Sequence, residues 1–200
     1  TWTIYNTENS GLPNDDIYPL SIDRGQGASA FTSDQVSLWI GTYGDGVVRF
    51  DGKEEWKVYK STNSPLIDDL IRSIAIDREG NKWIGTLFGG VAKFNGDATW
   101  TIYTNFNSQL PSNSVYPINF DDQGNVWLGT EGGLAMLSPD EKWTVYKVEN
   151  SGLPDDKIYS MRIDQNGIVW IGTVGGGLAR FDPSIQSDSI DPWTVFNTFN

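Results

Sequence analysis

Acidic, amide and hydroxyl side chains occur in adjacent pairs at four places, each with a tyrosine or an arginine three residues after its second member. Carboxylates and amides suit sugar hydroxyls, aromatic rings stack on sugars, and oxygen ligands also suit a hard cation such as calcium. We therefore predict ligand-binding residues at these positions; no cofactor and no metal ion are predicted, and calcium is the alternative that these oxygens leave open. They are Asp15 and Tyr18, Asp69 and Arg72, Asn113 and Tyr116, and Asp156 and Tyr159.

A purely structural role is the alternative for the same residues. Asp and Asn side chains cap turns by bonding to nearby backbone groups, and the tyrosines could pack between neighbouring sheets. Arg72 is the polar outlier, because the equivalent residue in the other three places is tyrosine. Its guanidinium could bind an anionic group such as a uronate carboxylate, or it could pair with Asp68 or Asp69.

A second group of candidates lies in loops where the glycines are constant and the residues beside them vary. Such variation is typical of loops that face a ligand, and also of unconstrained loop tips. The candidates in these loops are Tyr43, Phe88 and Glu131.

The composition argues against catalysis. The chain contains no histidine and no cysteine, which removes the usual general base near neutral pH, the thiolate nucleophile and thiolate metal sites. Carboxylates are plentiful, but most occupy repeated turn positions where a structural role suffices. We expect a non-catalytic protein, and an enzyme of polysaccharide breakdown that uses Asp with Tyr stays as an alternative.

The charge of the chain restricts its partners. The formal net charge is −12, and an acidic surface repels phosphate backbones and anionic membranes. Nucleic acid is therefore an unexpected partner, whereas a small-molecule or oligosaccharide ligand fits. No apolar run approaches the roughly 18 residues of a membrane span, so none is predicted.

One repeated phrase, Trp-(Ile/Leu)-Gly-Thr, organises the whole chain. It occurs at 39–42, 83–86, 127–130 and 170–173, at intervals of 44, 44 and 43 residues. A second tryptophan series accounts for the remaining five, namely Trp2, Trp56, Trp100, Trp143 and Trp193. A period of this length indicates a repeat architecture.

Each repeat is predicted to contain four strands, here called A to D. In the second copy they are 71–77, 82–86, 91–94 and 100–104, and an Asp-x-x-Gly turn at 77–80 joins A to B. Repeated four-stranded antiparallel units of this size are typical of propeller blades, whereas the rungs of a β-helix are usually shorter. We predict an all-β chain, a β-propeller of four-stranded antiparallel blades with one extra outer strand.

The predicted domain is a single propeller, or an arc of one, over residues 1–200. Its blades are expected at about 14–60, 68–104, 112–147 and 155–197, with the extra outer strand at 2–6. Either the four blades close into a ring and the extra strand lies elsewhere, or another copy or further sequence completes an arc. Self-association through the terminal blades follows from the second interpretation.

Two insertions fall on the rim opposite the candidate ligand residues. One lies between Asp23 and Trp39 and the other between Asp182 and Trp193. Insertions concentrated on one rim suggest a contact surface, although tolerated surface loops give the same pattern. A protein–protein interaction scaffold is therefore the first alternative to a ligand-binding module.

The motif S-G-L-P-x-x-x-I-Y, followed by D-x-x-G and W-(I/L)-G-T-x-G-G, resembles the two-component regulator propeller repeat. The resemblance implies a bacterial extracytoplasmic sensor, periplasmic or extracellular, of the kind that precedes a membrane span and a histidine kinase. In gut Bacteroidetes it also implies a response to glycan fragments. The expected function is thus a non-catalytic ligand-sensing or carbohydrate-binding module, with its ligand at the mouth formed by the D–A and B–C loops.

Overall fold

The computed structural model describes residues 2–25, 36–186 and 189–198. Within these ranges the chain contains strands and turns but no helix, and the strands form four antiparallel sheets of four strands each, in sequence order. We call these sheets blades 1 to 4. The prediction of an all-β chain built from four-stranded antiparallel blades is confirmed.

The strands lie close to the positions that the repeat predicts. Blade 1 contains β1 Ile17–Asp23, β2 Ser37–Thr42, β3 Val47–Phe50 and β4 Trp56–Tyr59. Blade 2 contains β5 Ile71–Ile76, β6 Lys82–Thr86, β7 Val91–Phe94 and β8 Trp100–Tyr103. Blade 3 contains β9 Val115–Phe120, β10 Val126–Thr130, β11 Gly133–Leu137 and β12 Trp143–Tyr146. Blade 4 contains β13 Ile158–Ile163, β14 Val169–Thr173, β15 Leu178–Phe181 and β16 Trp193–Phe196.

The chain forms two compact units, Thr1–Ile102 and Tyr103–Asn200. Unit 1 holds blade 1 and blade 2 up to Ile102, and unit 2 holds blades 3 and 4. Inside each unit the inner strands of the two blades lie side by side, β1 with β5 and β9 with β13.

The second strand of each blade shows why its motif needs both tryptophan and glycine. Trp39 and Trp127 are almost fully buried. A Cβ on Gly129 would lie 2.6 Å from Cγ2 of Ile158 in the next blade and 2.4 Å from Cγ of Pro117. Since only a bare backbone fits there, glycine allows the inner strand of blade 4 to approach β10 closely.

An aromatic junction joins the two blades of each unit. In unit 1 Tyr59 stacks on Trp39 with ring centroids 5.7 Å apart, and it also packs against Phe94 of the next blade at 5.2 Å. In unit 2 Tyr146 makes the same two contacts, with Trp127 at 6.1 Å and Phe181 at 5.0 Å. The tyrosine of the outer strand thus bridges the core tryptophan of its own blade and the flank of the following one.

The Asp-x-x-Gly turn is coupled to the buried tryptophan. Nε1 of Trp127 donates a hydrogen bond to Asp121 Oδ2 at 2.8 Å, while the other oxygen of Asp121 accepts from the backbone N–H groups of Gln123 and Asn125. Equivalent bonds join Trp83 to Asp77 and Trp170 to Asp164. One carboxylate therefore closes the turn and satisfies a buried donor at the same time.

Blade 1 departs from this pattern. Asp23, at the equivalent position, forms an ion pair with Lys82 of blade 2, with an N–O distance of 2.5 Å. Trp39 Nε1 is buried and has no hydrogen-bond partner among the described residues. The predicted insertion between Asp23 and Trp39 lies mostly outside the described residues, which resume at Val36.

The extra outer segment, residues 2–6, is not paired into any of the four sheets. Instead Tyr5 packs against blade 1, with its ring centroid 5.4 Å from Phe50 and 5.5 Å from Trp56. In the described part of the chain there is no helix of the length and hydropathy needed to cross a bilayer.

Candidate functional site

The predicted ligand residues that end each polar pair close the D–A loops. Each accepts a hydrogen bond of 2.8 Å from the backbone N–H eight residues earlier in the chain. Asp69 also accepts from the Ser61 hydroxyl at 2.8 Å, and Asp15 from the Thr7 hydroxyl at 3.1 Å. The oxygens that a ligand would use are therefore already bonded within the loops. This holds for Asp15, Asp69, Asn113 and Asp156.

The first residues of the pairs join the D–A loop to the B–C loop of the same blade. Asp68 accepts from the backbone N–H of Phe88 at 2.7 Å, and Asp155 accepts from Gly175 at 3.0 Å. Asn14 donates to Asp45 Oδ2 at 2.9 Å and to the carbonyl oxygen of Tyr43 at 3.2 Å. The two kinds of loop consequently meet at one end of each blade, as the strand order predicts.

The residues three positions after each pair lie where the inner strand loses its regular register. The pairing of β1 with β2 shifts between Ile17 and Leu20, around Tyr18, and that of β5 with β6 shifts around Arg72. The same irregularity surrounds Tyr116 and Tyr159. A bulge changes the direction in which a side chain points. These residues therefore do not follow the regular alternation of side chains between the two faces of the strand.

In unit 1 this geometry brings three predicted residues together. The rings of Tyr18 and Tyr43 stack with centroids 5.3 Å apart and an interplanar angle of 22°. The guanidinium carbon of Arg72 lies 5.2 Å from the Tyr18 centroid and 5.4 Å from the Tyr43 centroid. Both tyrosines are exposed. We call these three residues the unit 1 cluster; it offers aromatic faces beside a cation.

Unit 2 holds a second cluster, in which Tyr159 occupies the place of Arg72 and Glu131 occupies the place of Tyr43. Tyr116 and Tyr159 stack with centroids 4.3 Å apart. The Tyr116 hydroxyl donates to Glu131 Oε1 at 3.1 Å, and the two tyrosine oxygens are 3.3 Å apart. Burial, followed by the hydrogen bonds with Tyr159 and Glu131, raises the pKa of Tyr116 above its ordinary value. Tyr116 therefore stays a protonated donor to the carboxylate; we call these residues the unit 2 cluster.

Three exposed or charged side chains beside these loops were not predicted as ligand residues, namely Asp45, Lys60 and Phe106. Lys60 donates to Asp45 at 2.6 Å, and this bond, with a second from Asn14, lowers the pKa of the Asp45 carboxyl. Phe106 is exposed on the D–A loop that precedes blade 3. The sequence contains a signal for Phe106, because the other copies have Glu8, Thr62 and Glu149 at that position, and only this copy has an aromatic residue there.

No metal ion is predicted from the sequence, and calcium is the alternative left open there. Among residues 2–25, 36–186 and 189–198, no group of three or more His, Cys, Asp or Glu side chains is placed to hold a metal ion.

Phe88, the last of the predicted residues, is exposed on the B–C loop of blade 2 and anchored through its backbone to Asp68.

Four blades with a tryptophan on the second strand and an outer strand at the far edge define a β-propeller. The sequence profile of the two component regulator propeller family matches residues 109–132 and 152–175. The resemblance predicted from the Trp-(Ile/Leu)-Gly-Thr repeats is therefore confirmed. The two matched segments run from the D–A loop to the B–C loop of blades 3 and 4, and between them they contain the whole unit 2 cluster.

Solved structures support the same assignment. The chain is 27% identical to the extracellular domain of a hybrid two component system from B. thetaiotaomicron, with a TM-score of 0.74, over 100% of this chain and 24% of that one. A one component system from the same organism gives 22% identity and a TM-score of 0.68, over 92% of this chain and 24% of that one. The chain thus spans about a quarter of the length of these neighbours.

Other neighbours share the fold alone. A streptogramin B lyase is 14% identical with a TM-score of 0.59, over 88% of this chain and 57% of that one. At this level of identity the likeness carries no statement about chemistry. No curated protein sequence matches the chain significantly.

Proposed function

We propose that the chain is a non-catalytic, ligand-binding part of an extracytoplasmic sensor propeller, and that each of its two units binds oligosaccharides at its tyrosine cluster. The observation that carries the proposal is a stacked pair of tyrosines beside these loops in each unit, in which Tyr18, Tyr43 and Tyr159 are exposed and Tyr116 is half-buried. The extracellular domains of a two component and a one component system among the neighbours support the location and the sensor role.

The chemistry of the clusters fits a sugar ligand. Exposed aromatic faces pack against the apolar faces of sugar rings, while nearby charged groups bond to hydroxyls or to a carboxylate. In unit 1 the guanidinium of Arg72 favours an acidic sugar such as a uronate. In unit 2 Glu131 and the tyrosine hydroxyls favour a neutral sugar, since a uronate would meet a carboxylate there.

A non-catalytic role is supported by how the carboxylates are used. Asp15, Asp69 and Asp156 bond to backbone groups of their own loops, and Glu131 accepts a hydrogen bond from a tyrosine. An acid–base pair would need two groups with separated pKa values facing a common cleft. The unit 1 cluster contains no carboxylate, and in the unit 2 cluster Glu131 already accepts the hydrogen bond of Tyr116, whose raised pKa keeps its proton in place.

The proposal is tested by screening the protein against an array of neutral and uronic oligosaccharides, followed by calorimetry with the tightest binder. We expect the Tyr18→Ala or the Tyr159→Ala variant to weaken binding at least about tenfold, which is about 1.4 kcal/mol. Thr144→Ala is the matched control, because Thr144 is exposed on β12. The proposal fails if no oligosaccharide binds, or if both tyrosine variants bind as tightly as the control.

A protein-interaction scaffold is the second candidate. Leu20 and Ile22 alternate with less exposed residues along β1 and are themselves largely exposed. An exposed apolar stripe on a strand is a common feature of contact surfaces. A stable complex in native mass spectrometry, without any glycan binding, would favour this role.

A further inference from the structure

The loop between β2 and β3 carries a carboxylate where the other three B–C loops have glycine. The backbone N–H of Asp45 donates to the hydroxyl of the motif threonine at 3.1 Å. The equivalent residues of the other blades make the same bond at 2.9 to 3.1 Å, and they are Gly89, Gly132 and Gly176. Because this shared bond fixes the alignment of the four loops, Asp45 is a departure from the repeat in blade 1 alone.

The side chain of Asp45 joins two loops that belong to neighbouring blades. Its Oδ1 accepts from Lys60 Nζ at 2.6 Å, and Lys60 lies on the D–A loop that leads into blade 2. Its Oδ2 accepts from Asn14 Nδ2 at 2.9 Å, and Asn14 lies on the D–A loop that leads into blade 1. Both oxygens of the carboxylate are therefore bonded, and we call Asn14, Asp45 and Lys60 the clasp.

The backbone of the same loop is held from both sides as well. The N–H groups of Gly44 and Gly46 donate to the carbonyl oxygen of Asp69, on the D–A loop of blade 2, at 3.1 and 3.0 Å. On the side of blade 1, the carbonyl oxygen of Tyr43 accepts from Asn14 Nδ2 at 3.2 Å. The clasp therefore adds a charged hydrogen bond, which is stronger than a neutral one, to a loop that is already tied to two blades.

Tyr43 is the member of the unit 1 cluster whose position depends on this loop. Tyr18 and Arg72 lie on the inner strands β1 and β5, whereas Tyr43 directly follows β2. Its ring is 42% exposed and contacts only these two partners among the described aromatic and cation–π pairs. If the loop moved, the three groups would be together for only part of the time. The apparent affinity for a ligand falls with that fraction.

Unit 2 has the lysine of the clasp but not its carboxylate. Lys147 occupies the place of Lys60, since the backbone N–H of each donates at 2.7 Å to the asparagine three residues later. Gly132 occupies the place of Asp45, and Lys147 instead lies 3.9 Å from the carboxylate of Glu149. Among the described residues the clasp therefore belongs to unit 1, and Lys147 is its matched control.

We propose that Asp45 and Lys60 are positioning residues of the unit 1 ligand site, which hold Tyr43 against Tyr18 and Arg72 before a ligand binds. This role rests on the proposed function, because a positioning residue needs a site to position. Neither residue has to touch the sugar, since each acts through the loop. A loop that is ordered in the free protein does not have to be ordered at the expense of binding free energy.

Calorimetry with the tightest oligosaccharide from the array tests this role. Asp45→Ala and Lys60→Met remove opposite charges, so a purely electrostatic effect on a charged ligand would have opposite signs in the two variants. We expect both to weaken binding by at least about fivefold, as for a loop that is in the binding conformation about one fifth of the time. Lys60→Arg, which can keep the bond to Asp45, and the control Lys147→Met should stay within about twofold of the unmodified chain.

Hydrogen exchange in the ligand-free protein measures the loop by itself. We expect peptides that cover residues 43–46 to exchange at least about fivefold faster in Asp45→Ala and in Lys60→Met than in the unmodified chain. The same peptides should be unchanged in Lys147→Met and close to unchanged in Lys60→Arg. An exchange rate that is unaltered in both clasp variants overturns the positioning role.

The proposed function and the positioning role fail in different ways. If the unmodified chain binds no oligosaccharide, the proposed function fails and the positioning role fails with it. If the unmodified chain binds and the clasp variants bind equally well, the positioning role alone is overturned. Opposite effects of Asp45→Ala and Lys60→Met also overturn it, because charge rather than loop order would then control binding.

Discussion

At the scale of single residues, the buried tryptophans explain why the repeat carries an aspartate six residues earlier. The indole Nε1–H of a buried tryptophan needs an acceptor, and in blades 2, 3 and 4 the Asp-x-x-Gly turn supplies it. The same carboxylate caps the turn, so both features of the motif depend on one side chain. The sequence showed the aspartate only as a turn residue, because a contact between a side chain and an indole leaves no periodic signal.

This coupling gives a prediction about stability. Replacing Asp121 by Ala leaves the Nε1–H of Trp127 buried without an acceptor and removes the caps on two backbone N–H groups. We expect the free energy of unfolding to fall by about 1–3 kcal/mol. Urea denaturation followed by tryptophan fluorescence measures the difference.

Asp140→Ala is the control for that measurement, because Asp140 is an exposed turn residue of the same unit. Its effect should stay within about 0.5 kcal/mol, as for most surface substitutions. Equal unfolding free energies for the two variants would contradict the structural role given to Asp121.

At the scale of strands, the regular parts of the blade could be predicted and the irregular parts could not. The alternation of apolar residues and the Gly-rich turns located the four strands of blade 2 to within one residue. The shift in register around Tyr18 and Arg72 has no counterpart in that alternation. The sequence therefore named the residues of the clusters without showing that Tyr43 stacks on Tyr18, or that Arg72 lies over both.

Residues 2–6 show a second limit of reasoning from pattern. Their sequence predicts an outer strand, but a strand also needs a neighbour with free hydrogen-bonding groups. The third strand of every blade is already paired with its own outer strand. The segment consequently keeps its aromatic contact with blade 1 and leaves its backbone edge unpaired.

Close packing at the glycine of the Trp-(Ile/Leu)-Gly-Thr motif gives a prediction at this scale. An Ala side chain at position 129 would force Pro117 and Ile158 to move, because its Cβ would lie within 2.6 Å of both. We expect Gly129→Ala to lower the free energy of unfolding by about 1–3 kcal/mol. Thermal and urea unfolding both report the change.

Gly175→Ala is the matched comparison, since Gly175 is exposed and the nearest atom to an added Cβ is the end of the Asp155 side chain, at 3.0 Å. A flexible carboxylate can give way, so this variant should lose much less stability than Gly129→Ala. If Gly175→Ala lost more stability than Gly129→Ala, Gly129 would not be needed for the close packing of β13 against β10.

At the scale of the whole molecule, the charge distribution sharpens the functional proposal. The chain carries a net charge of −12, yet the unit 1 cluster is built around a guanidinium. In the unit 2 cluster, inside the segments matched by the family profile, Tyr159 occupies the place of Arg72, and the carboxylate of Glu131 occupies the place of Tyr43. The two clusters differ in charge, so the proposal predicts a different sugar preference for each.

The composition and the repeat were enough to predict a propeller and its resemblance to the two component regulator propeller repeat, because tandem blades impose a period on the chain. They could not predict which polar residues of the D–A loops are free for a ligand. Asp15, Asp69, Asn113 and Asp156 prove to be bonded within their own loops. The stacked tyrosines, of which Tyr18, Tyr43 and Tyr159 are exposed, carry the proposal instead.

Hydrogen-exchange mass spectrometry, with and without the tightest oligosaccharide from the array, tests the central claim most directly. We predict slower exchange in peptides covering the D–A and B–C loops around Tyr18, Tyr43, Tyr116 and Tyr159. The A–B turns at the other end of the blades, 77–81, 121–125 and 164–168, should be unchanged. Protection confined to those turns, or none at saturating ligand, would contradict the claim that the tyrosine clusters form the binding surface.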